Sequence, residues 1–202
     1  MAARHTNFRN SAWDAAVDAH DRWELRLREL APAIIAATRP VNFGSERYNE
    51  AFIWTETDGM RAVHAKCRLA NDTGCWERVW YQSAAAPDFE PFQVADLTLG
   101  FLVGAELAAV DEAARYGREG VQLLVSPRST PVPDIEDWLA MARSAARRAG
   151  ATLATSTGCG QGPAWIIDRD GELLARSSSS RPFVSQTIEL PAKTVMALDA
   201  AY

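Results

Sequence analysis

The sequence predicts an α/β sandwich with mixed sheets, in two or four layers. Two patterns predict it. Strands and helices alternate as βαβαβ between residues 92 and 155, which is the signature of a parallel sheet covered by helices. Short strands joined by Gly-containing turns stand on either side of that run, which adds antiparallel pairs. With 202 residues and 48% hydrophobic content, the chain has the size and apolar share of one compact domain with a full core. That domain is expected over 13–202, behind a flexible polar tail over 1–12.

The first element is an amphipathic helix. Trp13, Ala16, Val17, His20, Trp23, Leu27 and Leu30 recur at helical spacing. After Pro32, the apolar stretch Ala33 to Ala37 predicts a buried strand that ends in a loop at Arg39-Pro40-Val41 and Gly44-Ser45. Strands Glu50 to Thr55 and Arg61 to Ala65 flank an Asp58-Gly59 turn, which makes a hairpin the simplest pairing. Residues 67–90 hold Trp76, Trp80, Tyr81 and Phe89 without a sustained period, and read as a structured loop. The βαβαβ run follows. It comprises strands Phe92 to Val94 and Thr98 to Val103, helix Glu106 to Tyr116, strand Val121 to Val125, helix Ile135 to Arg148 and strand Thr152 to Thr155. Ala164 to Ile167, an Asp170-Gly171 turn, Leu173 to Arg176 and Phe183 to Leu190 then predict an antiparallel meander. There are no internal repeats, and Ser177 to Ser180 is a loop tip.

Composition narrows the partners. A formal net charge of −5 with 23% charged residues provides no basic footprint, so nucleic acid and anionic membrane surfaces are not expected partners. The longest apolar runs, Val121 to Val125 and Leu99 to Val103, are too short to span a bilayer. A polar N-terminus with no apolar core behind it implies a cytoplasmic protein. Cys67, Cys75 and Cys159 show neither CxxC spacing nor a histidine ladder, so reduced thiols are expected and no metal or other cofactor is.

Several segments carry a family resemblance in order and spacing. Val63-His64-Ala65-Lys66-Cys67-Arg68-Leu69 looks like a strand ending in a lysine, Arg47-Tyr48-Asn49-Glu50-Ala51-Phe52 like the strand before it, and Gly74-Cys75-Trp76-Glu77 like the turn after it. Leu99-Gly100-Phe101-Leu102-Val103-Gly104-Ala105-Glu106 is similar to a strand and nucleophile elbow, and Gly120 to Arg128 to the strand that follows. Trp165-Ile166-Ile167-Asp168-Arg169-Asp170-Gly171-Glu172 matches a late hairpin. Over residues 13 to 190 the chain resembles the nitrilase, or carbon-nitrogen hydrolase, superfamily. The resemblance implies a nitrilase-like αββα sandwich and hydrolysis of amides or nitriles by a glutamate base, a lysine, a second glutamate and a cysteine.

Set against that pattern, the Glu-Lys-Glu-Cys set is reduced to Lys66. The first glutamate belongs to a Pro-Glu pair on an early strand, and this chain is expected to lack that strand. The second acid position is Thr73, with Asp72 and Glu77 displaced from it. The nucleophile position is Gly104. Lys66 is read either as an oxyanion stabiliser or as a strand-end lysine paired with an acid. Glu106, at the start of a helix, is read as a catalytic acid or as a cap favoured by the helix dipole. His64, two residues before Lys66 and on the same side of its strand, is a proton carrier or a satisfied core histidine. Arg128, at the end of a buried strand, suits a ligand carboxylate or a structural salt bridge. Cys67 should face away from Lys66, because successive strand side chains alternate. The Gly158 to Gly162 loop leads into a strand rather than a helix, unlike a phosphate cradle.

These residues imply a degenerate homologue without thiol-based amide hydrolysis, binding a small carboxylate or amide, or a partner protein. The alternative is an enzyme of changed mechanism, a lyase, cyclase or non-covalent hydrolase of a C–N bond, using Lys66 with Glu106 or His64. The resemblance further implies a homodimer, or a heteromer with a full-length relative that supplies the missing strand.

Overall fold

The computed structural model describes residues 2–30, 32–70, 77–85, 89–129, 134–158 and 162–190, with side chains in the first helix from Asn10 onward. The chain has two compact units, Met1–Asp88 and Phe89–Tyr202.

The first unit opens with helix α1 (Ala2–Glu24), followed by a 3-10 turn (Leu27–Leu30). Residues 2–12, expected as a tail, are part of α1. Ala2, Ala3, Arg4 and Arg9 are good helix formers by intrinsic propensity. Trp13 is buried and its indole N–H donates to the Asn42 side chain at 2.8 Å, which ties α1 to the sheet.

That sheet is antiparallel, in the order β1 (Ile34–Phe43), β2 (Glu46–Thr55), β3 (Gly59–Ala65). β1 continues through Arg39-Pro40, where a loop was expected. Among the described residues it pairs with β2 alone, with Pro40 opposite Asn49, and an edge strand tolerates a residue that cannot donate. Arg39 sits opposite Glu50 and its Nη2 meets Glu50 Oε1 at 2.9 Å, a cross-strand ion pair that helps hold the register. Ala51, Phe52 and Ile53 of β2 form the buried centre of the unit. Within 67–90, expected to be a loop, a short helix α2 (Glu77–Trp80) forms.

The second unit holds a six-stranded mixed sheet in the order β4 (Phe92–Val94), β5 (Leu97–Phe101), β6 (Leu123–Arg128), β7 (Thr152–Thr157), β8 (Trp165–Ile167), β9 (Leu173–Arg176). β5, β6 and β7 pair in parallel, and β4, β8 and β9 add antiparallel partners. A 3-10 turn (Gly104–Ala108) and helix α3 (Val110–Arg118) connect β5 to β6, and helix α4 (Ile135–Ala149) connects β6 to β7. The Tyr116 hydroxyl of α3 lies 3.2 Å from both the N–H and the carbonyl of Phe101, and burial pushes its pKa up. The expected strand Phe183 to Leu190 is absent, and residues 177–190 form no ladder. Period-two alternation alone does not make a strand. It needs a neighbouring backbone, and this segment has none among the described residues.

Helices α3 and α4 approach closely at Gly117, where an added Cβ would stand 2.9 Å from the Ala149 carbonyl oxygen. Since the obstacle is backbone, it cannot swing aside. Gly117→Val should therefore destabilise the chain by about 2 kcal/mol or more, as overpacking does. Urea unfolding monitored by circular dichroism measures it, and an unchanged midpoint would show that the helices can separate at low cost.

Candidate functional site

Lys66 follows directly on β3, and its N–H donates to the Asn49 carbonyl at 2.9 Å, extending the pairing with β2 by one residue. The side chain is fully buried, and Nζ meets Glu77 Oε1 at 2.5 Å. Glu77 is the first residue of α2, and its second oxygen accepts the Ala70 N–H at 2.7 Å. Each carboxylate oxygen thus has a fixed donor, and the ammonium is held in a place water does not reach. Charge-assisted hydrogen bonds of this kind are short and strong. Tyr81, one turn after Glu77, has its phenol pKa pushed up by burial and by the Glu77 charge. His64 is buried in β3 opposite Ala51. Cys67 is half-buried where Lys66 is fully buried, in keeping with side chains that alternate, and its carbonyl accepts a hydrogen bond from the Ser83 hydroxyl.

Glu77, which the sequence offers only as an acid displaced from the expected position, is the partner that Lys66 meets. The second acid was expected at Thr73, which with Asp72, Gly74, Cys75 and Trp76 lies outside the described residues. The signal was an acid at the start of a helical turn, eleven residues beyond the lysine. A chain that folds back within that distance can return a helix N-terminus to the end of β3.

In the second unit, the chain leaves β5 through Leu102 and Val103 and turns at Gly104, whose φ is +55°. This left-handed residue between a strand and a helical turn is the backbone shape of an elbow, and it carries no side chain. Glu106, fully buried two residues later, accepts the Val103 N–H through Oε2 at 2.9 Å. Of the two roles expected for it, this bond serves the cap, satisfying a donor that the short turn leaves open.

Arg128 ends β6 and is buried, with its guanidinium carbon 3.9 Å from the centre of the Trp165 ring. One terminal nitrogen donates to the Pro163 carbonyl. Burial pushes its pKa down to about 10, so it stays charged at neutral pH. Stacking on an indole face is a favoured environment for a desolvated guanidinium. Trp165 as the partner was not foreseen, because residues on β6 and β8 lie far apart in sequence. Lys66, His64 and Glu77 belong to the first unit, and Gly104, Glu106 and Arg128 to the second. Cys159, in the glycine-rich loop, lies outside the described residues. Among those described, no group of three or more histidine, cysteine or acidic side chains is arranged to hold a metal, and no helix is long and apolar enough to cross a membrane.

No family model and no curated protein matches the chain. Solved structures do. A carbon-nitrogen hydrolase from Helicobacter pylori G27 superposes with a TM-score of 0.69 at 18% identity, over 81% of this chain and 66% of that one. An amidase from Nesterenkonia sp. superposes with a TM-score of 0.65 at 19% identity, over 80% of this chain and 64% of that one. A variant of the Nesterenkonia AN1 amidase, described as a member of the nitrilase superfamily, superposes with a TM-score of 0.67 at 19% identity, over 79% of this chain and 63% of that one. The chain thus spans just under two thirds of the length of these neighbours, and what it shares with them is architecture. It has the nitrilase-like α/β fold of the carbon-nitrogen hydrolases.

Proposed function

We propose that the chain is a degenerate carbon-nitrogen hydrolase homologue that carries out no thiol-based amide hydrolysis and binds a small carboxylate. The observation that carries the reading is Gly104. The elbow after β5 has the left-handed turn but no nucleophile, at the position the resemblance assigns to the cysteine. Acyl-enzyme chemistry needs an activated nucleophile beside a base. Lys66, neutralised by the Glu77 carboxylate, fits the strand-end lysine paired with an acid, so the charge for a ligand carboxylate falls to Arg128. Arg128 provides a planar, permanently charged fork at the end of a parallel strand. Intact-mass spectrometry after incubation with short amides, nitriles and N-carbamoyl compounds tests the reading. No acyl adduct is expected, and one on any of the three cysteines overturns it.

A second reading rests on the Lys66–Glu77 pair. A buried ammonium in a short contact with a carboxylate is a proton-transfer couple, which a lyase, cyclase or non-covalent hydrolase of a C–N bond could use. In that reading Glu77 takes the part first given to Glu106 or His64. For assembly we propose a homodimer, since closed two-fold pairing is the commonest arrangement. Light scattering at micromolar concentration should give twice the chain mass, and a stable monomer overturns the proposal.

A further inference from the structure

We infer that the carboxyl ends of β6 and β7 form a site for a small carboxylate, held by donors from Ser126, Arg128, Thr157 and Trp165. The inference rests on the carboxylate-binding reading above and adds to it the groups that do the binding. The ladder places them together. Ser126 pairs with Thr155 and Arg128 with Thr157 across the parallel strands, and side chains two residues apart share a face. On the other side of β7, the Thr155 hydroxyl accepts the Trp165 backbone N–H at 2.8 Å, and the Leu153–Ile167 register continued by two residues puts Trp165 opposite Thr155. Neighbouring strands lie about 4.8 Å apart, so the four side chains occupy adjacent rungs of one face.

Their burial makes the arrangement unusual. Ser126 and Trp165 are both 0% exposed and Arg128 is 6% exposed. Ser126 Oγ, Thr157 Oγ1 and Trp165 Nε1 are buried polar atoms that make no hydrogen bond among the described residues. Interiors rarely leave such groups unsatisfied, and three on one face of a sheet, beside a buried guanidinium, indicate a shared acceptor. The chemistry of that acceptor follows from the donors. An indole N–H and a guanidinium can only donate, and both hydroxyls can rotate to donate. A carboxylate brings two acceptor oxygens and the charge that Arg128 complements. A neutral amide brings one acceptor oxygen and an NH2 that this set does not favour. The place fits as well, because open α/β sheets take their ligands at the carboxyl ends of the parallel strands.

The test uses the full chain, labelled with nitrogen-15, in the indole region of the proton–nitrogen spectrum. Seven tryptophans give seven signals, and Trp165→Phe identifies the one that matters. On titration with acetate, the Trp165 signal should move and saturate at the midpoint found by calorimetry, and acetamide at the same concentrations should leave it in place. Ser126→Ala, a small change in a buried site, should weaken acetate binding by about fivefold or more, the share of one hydrogen bond. Acetate binding that leaves the Trp165 signal unmoved and survives Ser126→Ala overturns this site while the carboxylate reading stands. Equal movement with acetamide overturns the preference for charge and points to a site satisfied by water or any neutral acceptor. The absence of acetate binding by calorimetry overturns the carboxylate reading and the site together.

Discussion

Glu77→Leu should destabilise the chain by about 3 kcal/mol or more, and Lys66→Met by clearly less. The asymmetry comes from where each partner lies. The Lys66 side chain is 1% exposed and that of Glu77 24%. Removing the carboxylate strands an ammonium that water cannot reach, and an uncompensated buried charge costs about 3–5 kcal/mol. Removing the ammonium leaves a carboxylate that still accepts the Ala70 N–H and can turn part of its surface to solvent. Methionine also fills most of the volume of the lysine stem. The double variant Lys66→Met with Glu77→Leu should be more stable than Glu77→Leu alone, because it strands no charge. Urea midpoints of the four proteins measure this cycle. A Glu77→Leu protein within about 0.5 kcal/mol of the parent, the range of ordinary surface changes, would mean that Lys66 finds another counter-charge without loss.

Much of the second unit was legible in the sequence because its signals are local. α4 was expected over Ile135 to Arg148 and runs Ile135–Ala149, since Leu139, Ala142, Ala145, Ala146 and Ala149 repeat on one face and are buried. β9 was expected and found at Leu173–Arg176, bounded by the Asp170-Gly171 turn before it and the serine run after it. The parallel centre was legible because strands covered on both sides are written as continuous apolar runs. Other features depend on context that no short window contains. The passage of β1 through Pro40 depends on β1 being an edge, and the failure of 183–190 to form a strand on its having no neighbouring backbone, both among the described residues. Of the candidate functional residues, Lys66 in the first unit and Gly104, Glu106 and Arg128 in the second could be singled out by position. Their partners, Glu77 and Trp165, are brought to them by the fold, and neither lies at a helical or strand spacing from the residue it meets.

The second large effect concerns the elbow. Gly104→Cys should remain close to background in hydrolysis, even though it places a thiol where the resemblance expects one. A non-glycine residue at φ +55° bears a backbone cost of about 1–2 kcal/mol. The nearest acid in sequence, Glu106, already accepts the Val103 N–H, so the thiol would not gain a free general base from it. Loss of one member of a nucleophile–base unit costs about as much as loss of the whole, on the order of a millionfold in kcat. Restoring a single member should therefore recover little. Thiol-dependent turnover by this variant would show that a base stands ready at the elbow.

The most direct measurement is ammonia release by the purified parent chain, supplied with short amides, nitriles and N-carbamoyl compounds, beside Lys66→Ala as the control. The absence of a nucleophile at Gly104 predicts the same background rate for both proteins. Steady turnover by the parent that disappears in Lys66→Ala would contradict the account at its centre.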